Sequence, residues 1–298
     1  MSPPPPSSSP RCLIIVPAFN ESRSVGKLVS RLLRALPGYD VLVVDDGSTD
    51  DTAAQVPRAA TVLSMPFNLG IGGAMQAGYR YAALHGYDVA IQCDGDGQHR
   101  PIEVMRLVRH MQQSGSDLVV GSRFLENVRY RQSVMRMTGS FVLGYLIRLL
   151  TGMRVTDCTS GFRAVNRDVI AAFAHWYPED YPEPEVILLL KRAGFRISEV
   201  PVRMRQRHTG ASSIGMLQGM FYVLKVVVCV LLDLARDPWP RRGKVTDVDV
   251  QRASAVGGRG ATARAEPTDP GGHVDPQPVP DPAGHEPAHP GHPSSPAV

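Results

Sequence analysis

Five short apolar runs between residues 12 and 121 constrain the fold of this chain more than any other feature. Their sequences are CLIIV, VLVV, TVLS, VAIQC and DLVVG, and the segments between them have the length and amphipathic pattern of helices or helical turns, over residues 21–36, 50–56, 72–85 and 101–114. Continuous apolar strands that alternate with amphipathic helices indicate a parallel sheet buried on both faces. We therefore predict an α/β fold with a mostly parallel central sheet and helices on both faces.

Polar loops follow four of these strands. They read PAFNE, DDGSTDDT, MPFNLGIGGA and DGDGQH in chain order. The carboxyl ends of parallel strands meet at one edge of the sheet, and ligands of such folds bind outside that edge. A concentration of carboxylates there has little value for packing, so it predicts a ligand site.

Both ends of the chain have a composition unlike the middle. The first ten residues are MSPPPPSSSP, and the residues after about 236 are dominated by Gly, Pro, Ala, Asp and His. Such segments bury too little apolar surface to offset the entropy lost on ordering. We expect disorder in residues 1–10 and 237–298 and one folded domain over residues 11–236, with a further helix near residues 132–150, another near 183–193 and a strand within 195–204.

Net charge and cysteine usage indicate the cellular compartment and the kind of ligand. The net charge is +4, which suits an anionic substrate or an anionic membrane face and gives no reason to expect nucleic acid. Four scattered cysteines with no C-x-x-C pair, and no secretory signal before the first apolar run, favour a reducing cytosol. We expect a cytoplasmic protein, peripheral at the inner face of the cell membrane.

The longest apolar stretch, residues 216–234, contains Lys225 and Asp233. A spanning helix needs about 20 mostly apolar residues, and a central Lys costs about 2.5–3.5 kcal/mol on insertion scales. We therefore expect an apolar C-terminal helix that docks on the domain, on a bilayer surface or on a membrane protein partner, and no transmembrane span.

Asp94, Asp96 and Gln98 alternate directly after the fourth apolar run. Oxygen ligands at this spacing in a turn can converge on one Mg²⁺ or Mn²⁺, which in turn can hold a diphosphate. The alternative is an ordinary Asp/Gly surface turn. The position at a strand end favours the metal site.

Asp45 and Asp46 end the second apolar run. Two adjacent carboxylates at a strand end can accept hydrogen bonds from a nucleobase and from ribose hydroxyls. The alternative is helix capping by the polar residues that follow, which explains residues 48–51 but does not require Asp45.

The glycine-rich loop NLGIGGA contains Asn68 and Gly73. Its glycines can admit the backbone close to a sugar nucleotide, or can simply begin a helix. The loop follows the third strand and lacks the G-x-G-x-x-G spacing, so a nicotinamide oxidoreductase is disfavoured. No G-x-x-x-x-G-K-[ST] sequence is present, which disfavours a P-loop kinase.

Seven ordered blocks, PAFNE, DDGSTDDT, NLGIGGA, DGDGQH, GSR, DCTSGFR and EVPV, together resemble glycosyltransferase family 2 over about residues 11–234. Within it they resemble the branch of dolichol-phosphate mannosyltransferases and bacterial polyprenyl-phosphate transferases. The resemblance implies a GT-A fold, a UDP-, GDP- or TDP-sugar donor, inversion at the anomeric carbon, and a donor half over residues 11–123. It implies a nucleotide pocket lined by Pro17, Ala18, Glu21 and Asp46. It also implies a metal site formed by Asp94, Asp96 and Gln98, and a contact of Arg123 with the diphosphate.

The remaining part, residues 124–236, is expected to bind the acceptor. Glu183 and Glu185 stand where many family members carry an acidic pair, one carboxylate of which serves as general base. The alternative is favourable charge at a helix N-terminus, about 0.3–1 kcal/mol. A basic loop that includes Arg207 and Ser212 resembles the family segment that closes over the diphosphate. The alternative there is a solvated basic loop.

Three functions follow from these expectations. The first is transfer of a sugar to a polyprenyl phosphate, whose second pKa of about 6 provides an oxyanion near neutrality without a protein base. The second is transfer to a hydroxyl of a cell-wall glycan or small molecule, which needs a base such as Glu183 or Glu185. The third is a nucleotide-sugar-binding scaffold without activity, which the complete acidic set disfavours.

Overall fold

A seven-stranded sheet lies at the centre of the computed structural model, which describes residues 9–95, 97–125, 134–179, 182–204 and 227–228, with the backbone alone for 134–142. The strand order is β3-β2-β1-β4-β6-β5-β7. The strands are β1 (Cys12–Ala18), β2 (Tyr39–Asp45), β3 (Thr61–Ser64), β4 (Val89–Gln92), β5 (Leu118–Ser122), β6 (Arg163–Asn166) and β7 (Ile197–Pro201).

The strands are mostly parallel, as predicted. β1 to β4 run parallel to one another, and β7 runs parallel to β5. Only β6 is reversed among the strands of this sheet, because it pairs antiparallel with both β4 and β5. The carboxyl ends of β1 to β5 therefore meet at one edge of the sheet. The antiparallel strand β6 begins at that edge.

Helices cover both faces of the sheet. The helices are α1 (Val25–Ala35), α2 (Gly70–Leu84), α3 (Pro101–Ser114), α4 (Val134–Thr151), α5 (Arg167–His175) and α6 (Pro182–Arg192). One apolar core contains side chains of α2, α4, α5 and α6, and the other contains side chains of α1 and α3. Alternate residues of β1 enter different cores, Leu13 and Ile15 the first and Ile14 and Val16 the second. This alternation explains why the strand sequences are continuously apolar.

Three elements differ from the expectations. The helical segment predicted over residues 50–56 is only a three-residue 3₁₀ helix, Ala53–Gln55. Asp50 and Thr52 bind the neighbouring loop with their side chains, and Pro57 disfavours helical geometry at the residue before it. The strand β6 and the helix α5 were not predicted at all.

The predicted apolar helix over residues 216–234 lies outside the described residues, apart from 227 and 228. Among the helices whose residues are described, none combines the length and the hydropathy needed to cross a bilayer.

Candidate functional site

The loops after β1 and β2 are joined by a continuous set of hydrogen bonds. The backbone amide of Asn20 donates to Oγ of Ser48 at 2.9 Å, and its own Oδ1 accepts from the amide of Thr49 at 2.9 Å. The amide of Glu21 donates to Oγ1 of Thr52 at 2.8 Å. Asn20 adopts φ 55°, a left-handed conformation that Asn tolerates better than most residues. These bonds fix the segment that contains the predicted residues Pro17, Ala18 and Glu21.

Both carboxylates at the end of β2 are buried and bind backbone amides. Oδ1 of Asp45 accepts from the amide of Ser48 at 3.2 Å, and Oδ1 of Asp46 accepts from the amide of Leu69 at 2.8 Å. Asp45 thus caps its own turn, whereas Asp46 ties the loop after β2 to the loop after β3. The structure therefore gives each side chain a structural role in addition to the predicted contact with nucleoside.

Close packing of glycines shapes the same edge. Gly47 adopts φ +69°, and a Cβ there would lie 2.7 Å from the carbonyl carbon of Phe67, so the two loops can touch only with glycine. Oδ1 of Asn68 accepts from the amide of Gly70 at 2.9 Å at the start of α2. Gly73 lies in the first turn of α2. Asn68 thus lies just before this helix and Gly73 in its first turn, and the contact of the loop with a sugar nucleotide stays a prediction.

The loop after β4 presents Asp94 to solvent. Its side chain is 41% exposed, and its Oδ2 lies 3.3 Å from Nε2 of His99, which is only 2% exposed. His99 is fixed by stacking on Phe162, with ring centroids 4.3 Å apart. Burial on its own would raise the pKa of Asp94. The hydrogen bond and the charge of His99, with smaller effects of Gln92 and Arg163, outweigh burial, so the pKa of Asp94 is lowered. Asp94 is therefore an ionised carboxylate at the open edge of the sheet.

The surroundings of Asp94 fit a hard divalent cation. Among the described residues no group of three His, Cys, Asp or Glu side chains could hold a metal ion, but Asp96 lies outside them. Gln98 is partly exposed in the same loop. Gly161 packs so closely that a Cβ would lie 3.1 Å from Oδ1 of Asp94, so the lack of a side chain leaves the carboxylate accessible. An ionised Asp, an amide oxygen and an adjacent Asp form the oxygen-rich donor set that Mg²⁺ and Mn²⁺ prefer.

Arg123, which follows β5, is held by Asp157. Its Nε and Nη2 donate to the two carboxylate oxygens of Asp157, each at 2.7 Å, and Nη2 also donates to Oγ1 of Thr159 at 3.1 Å. Asp157 is fully buried and Arg123 is 16% exposed. Glu199 in β7 accepts from the amide of Asp157 at 3.0 Å. The predicted diphosphate ligand is thus a positioned guanidinium whose accessible part lies at the sheet edge.

Glu183 and Glu185 lie in the first turn of α6 but in different surroundings. Glu185 is 6% exposed, whereas Glu183 is partly exposed. Burial raises the pKa of Glu183, and the negative charge of Asp94 raises it further. The positive charges of Arg163 and Arg123 and a backbone hydrogen bond lower the pKa, but burial outweighs them. These interactions indicate that α6 brings Glu183 near the Asp94 loop and Arg123.

Three predicted site residues lie outside the described residues: Asp96, Arg207 and Ser212. Conversely, sequence reasoning did not select His99, Asp157 or Arg163 as site residues. His99 and Arg163 end the blocks DGDGQH and DCTSGFR, and Asp157 lies in the second of these blocks, so the blocks themselves were the available signal.

These features first define a class of protein: an α/β protein whose acidic loops converge at the carboxyl edge of one mostly parallel sheet, where such folds bind nucleotides. The chain belongs to glycosyl transferase family 2, whose model matches residues 13–173, from β1 into α5. It is therefore a glycosyltransferase.

Relatives and solved structures agree with this assignment. The chain is 32% identical to a polyprenol monophosphomannose synthase of Mycolicibacterium smegmatis, over 76% of this chain and 90% of that protein. It is 34% identical to an undecaprenyl-phosphate mannosyltransferase of Micrococcus luteus, over 68% of this chain and 87% of that protein. A similar solved structure is glucosyl-3-phosphoglycerate synthase from Mycobacterium tuberculosis, in complex with Mn²⁺, UDP and phosphoglyceric acid. It has a TM-score of 0.59 at 21% identity and covers 77% of this chain and 80% of that one, which shows a shared fold.

Proposed function

We propose that this chain is an inverting, metal-dependent glycosyltransferase that moves a sugar from a nucleotide-sugar to a polyprenyl phosphate. One observation carries the donor half of the proposal: the partly exposed Asp94 carboxylate, held ionised by buried His99 at the strand edge. The acceptor is inferred from two relatives, whose names specify polyprenol and undecaprenyl phosphate.

The metal would be held by Asp94, Asp96 and Gln98. A bound Mg²⁺ or Mn²⁺ neutralises charge on the leaving nucleoside diphosphate as the sugar bond breaks. His99 keeps the Asp94 carboxylate ionised and restricts its rotation. Arg123, oriented by Asp157, supplies a further positive charge for the diphosphate.

The nucleoside would lie along the loops after β1 and β2. Pro17, Ala18 and Glu21 belong to the first loop, and Asp45 and Asp46 to the second. Because the two loops are joined by hydrogen bonds, the pocket is organised before the ligand arrives, which reduces the entropy lost on binding.

The acceptor would approach from the side of α6. A polyprenyl phosphate has an oxyanion available near neutrality, since its second pKa is about 6, so its attack on the anomeric carbon needs no protein base. We assign Arg207 and Ser212 to contacts with phosphate groups during transfer, because an arginine can bind phosphate through two parallel hydrogen bonds. This acceptor places the enzyme at the cytoplasmic face of the membrane, where a membrane protein partner can also bind.

A second candidate, transfer to a hydroxyl, is favoured by one specific observation. The pKa of Glu183 is raised by burial, which moves a carboxylate toward the range suited to a general base. Glu183 rather than Glu185 would then remove the proton of the acceptor hydroxyl as the oxygen attacks.

The experiment that separates these functions measures nucleotide release from UDP-, GDP- and TDP-sugars with Mn²⁺, with and without undecaprenyl phosphate in detergent. Turnover of one donor only with the lipid, lost in Asp94→Asn and in Asp96→Ala, supports the proposal. Turnover that is indifferent to the lipid, but lost in Glu183→Gln, supports the hydroxyl acceptor instead. Donor binding without turnover under any condition supports the inactive scaffold.

A further inference from the structure

Three large apolar side chains are exposed between the end of β3 and the first turn of α2. Phe67 is 62% exposed, Leu69 44% and Ile71 37%, and we call residues 67–71 the apolar loop. In the part of the chain that the structure describes, no other five-residue segment exposes three large apolar side chains. Neighbouring apolar side chains on a surface mark a site of interaction, whereas single ones do not.

The backbone of the apolar loop is fixed by the loop before it. The buried carboxylate of Asp46 accepts from the amide of Leu69 at 2.8 Å. A Cβ on Gly47 would lie 2.7 Å from the carbonyl carbon of Phe67, so the two loops pack directly on each other. The apolar side chains are therefore presented from an ordered backbone, and a partner that contacts them need not order the loop first.

Leu69 occupies a position where a polar residue would stabilise the fold more. It is the N-cap of α2, and its side chain makes no capping hydrogen bond. Ser, Thr, Asp or Asn at an N-cap accepts a hydrogen bond from an amide of the first turn, which leucine cannot do. An exposed leucine here therefore favours contact with an apolar partner over stability of the helix.

The apolar loop lies beside the proposed acceptor side. It follows β3, which runs parallel to β2, so it is at the carboxyl edge of the sheet with the candidate site. A Cβ on Gly72 would collide with the carbonyl oxygens of Pro178 and Glu179. The start of α2 thus packs against the backbone segment that leads to α6, which begins at Pro182.

A basic surface begins at the same edge of the sheet, on the helix α1 that follows β1. Four cationic side chains line a groove of about 530 Å³, whose described lining contains no acidic residue: Arg23, Lys27, Arg31 and Arg34. Positions 27, 31 and 34 share one face of the helix. Within the described residues, no carboxylate lies within 4.0 Å of these four cations. Because like charges at this spacing destabilise a helix, an anionic partner would stabilise this one.

We propose that the apolar loop and the basic face of α1 form the surface by which the enzyme docks on a bilayer that contains anionic phospholipid. Such a bilayer fits both features, because apolar side chains enter the boundary between headgroups and acyl chains while cations contact the anionic headgroups. The inference rests on the proposed function in one respect: a polyprenyl phosphate acceptor lies in such a bilayer, and the docked apolar loop would bring the acceptor side of the enzyme to it.

Cosedimentation of the full chain with vesicles tests the surface without nucleotide or polyprenyl phosphate. The vesicles contain equal amounts of phosphatidylglycerol and phosphatidylcholine. The triple variant Phe67→Ser, Leu69→Ser, Ile71→Ser should bind them about tenfold more weakly or worse, because burial of even one such side chain is worth about that factor. The matched control is Leu84→Ser, which removes a 57% exposed leucine from the opposite end of α2 and should bind like the native protein.

Two further measurements separate docking from misfolding. Leu69→Ser introduces a favourable N-cap, so this variant should resist urea at least as well as the native protein while it binds vesicles more weakly. Phe67→Trp should add fluorescence that shifts to shorter wavelength on vesicles and is quenched by brominated lipid, compared with the native chain and its two tryptophans. Leu84→Trp should show neither change.

Native binding by the triple variant, or an equal loss in Leu84→Ser, would overturn the proposal. The variant Lys27→Gln, Arg31→Gln, Arg34→Gln should lose the preference for phosphatidylglycerol over pure phosphatidylcholine, and an unchanged preference would refute the role of α1. If the triple variant instead changed nucleotide affinity or oligomeric state with vesicle binding intact, the apolar loop would belong to the donor site or to a contact between copies.

Failure of the proposed function is recognised separately. Vesicle binding is measured without substrates, so it persists in a chain that transfers no sugar. Conversely, a chain that turns over with undecaprenyl phosphate in detergent but does not bind vesicles would retain the proposed function and lose only the docking surface.

Discussion

Gly161 provides the sharpest test of the Asp94 site, because adding one methyl group there alters the site and little else. A Cβ at this position would lie 2.9 Å from Nε2 of Gln92, 3.1 Å from Oδ1 of Asp94 and 3.4 Å from its Oδ2. Gly161 does not have a positive φ, so alanine fits its backbone without strain. The cost of Gly161→Ala therefore comes from contact with these two side chains.

The magnitude follows from those distances. Ordinary contacts of a Cβ begin near 3.4 Å, so Asp94 and Gln92 must each move by a few tenths of an ångström. Metal–ligand distances tolerate about 0.2 Å, and displacement of groups around a metal ligand typically costs 10- to 100-fold in affinity. We expect Gly161→Ala to weaken Mn²⁺ binding in the presence of nucleotide by about tenfold, and overpacking to cost roughly 1 kcal/mol of folding free energy.

The assay is a Mn²⁺ titration followed by electron paramagnetic resonance, with urea unfolding of the same samples. Gly144→Ala is the control: its Cβ would lie 3.1 Å from the carbonyl oxygen of Val155, a close contact in α4 that involves none of the proposed ligands. Alanine inside a helix gains helix propensity that offsets part of the overpacking, so Gly144→Ala should lose less stability than Gly161→Ala. Only Gly161→Ala should lose metal affinity. Native affinity in Gly161→Ala would refute the assignment of Asp94 as a ligand, and equal losses in both variants would refute a local effect.

Three further predictions concern folding. Asp157→Asn should destabilise the fold by about 3 kcal/mol in urea unfolding, because it leaves the guanidinium of Arg123 without its buried partner; a cost below 1 kcal/mol would contradict this. Asn166→Ala should cost about 1–2 kcal/mol, since Oδ1 of Asn166 accepts from the amide of Val169 at the start of α5 at 3.1 Å; Asn166→Asp keeps this acceptor but sets a second carboxylate against buried Asp117, to which Nδ2 of Asn166 donates at 2.9 Å, and should cost at least as much. The pKa of Glu183 is raised from 4.5, so the folded state binds its proton more tightly than the unfolded state. That contribution is complete below pH 4.5 and is lost as the pH rises through the raised pKa, so unfolding measured from pH 4 to 8 should show a steeper decline for the native protein than for Glu183→Gln.

Much of the sheet was predictable because β1 to β5 are continuously apolar, and both faces of such strands must be buried. The strand β6 was not predictable, because it has only four residues, begins with a charged residue and pairs with strands that precede it by more than 40 positions. Its strand character comes from tertiary pairing and from its position inside the sheet. No local pattern encodes a pairing of this kind.

The candidate site was likewise predictable only in part. The position of Asp94 at a strand end followed from its place after β4. The pairing of Arg123 with Asp157 joins residues 34 positions apart, and no spacing rule indicates it. Glu183 and Glu185 are equivalent in sequence terms, and only the folded structure distinguishes Glu183, which is partly exposed, from Glu185, which is buried.

The reversed strand β6 links the segments predicted to be the donor half and the acceptor half. β5 ends at Ser122, within the predicted donor half, yet both of its neighbours, β6 and β7, come from the predicted acceptor half. A fragment that stopped at residue 123 would keep only the four strands β1 to β4 in register and would leave β5 with no strand beside it. Chimeras that exchange segments between relatives should therefore be joined after α5, where the sheet is complete except for its edge strand.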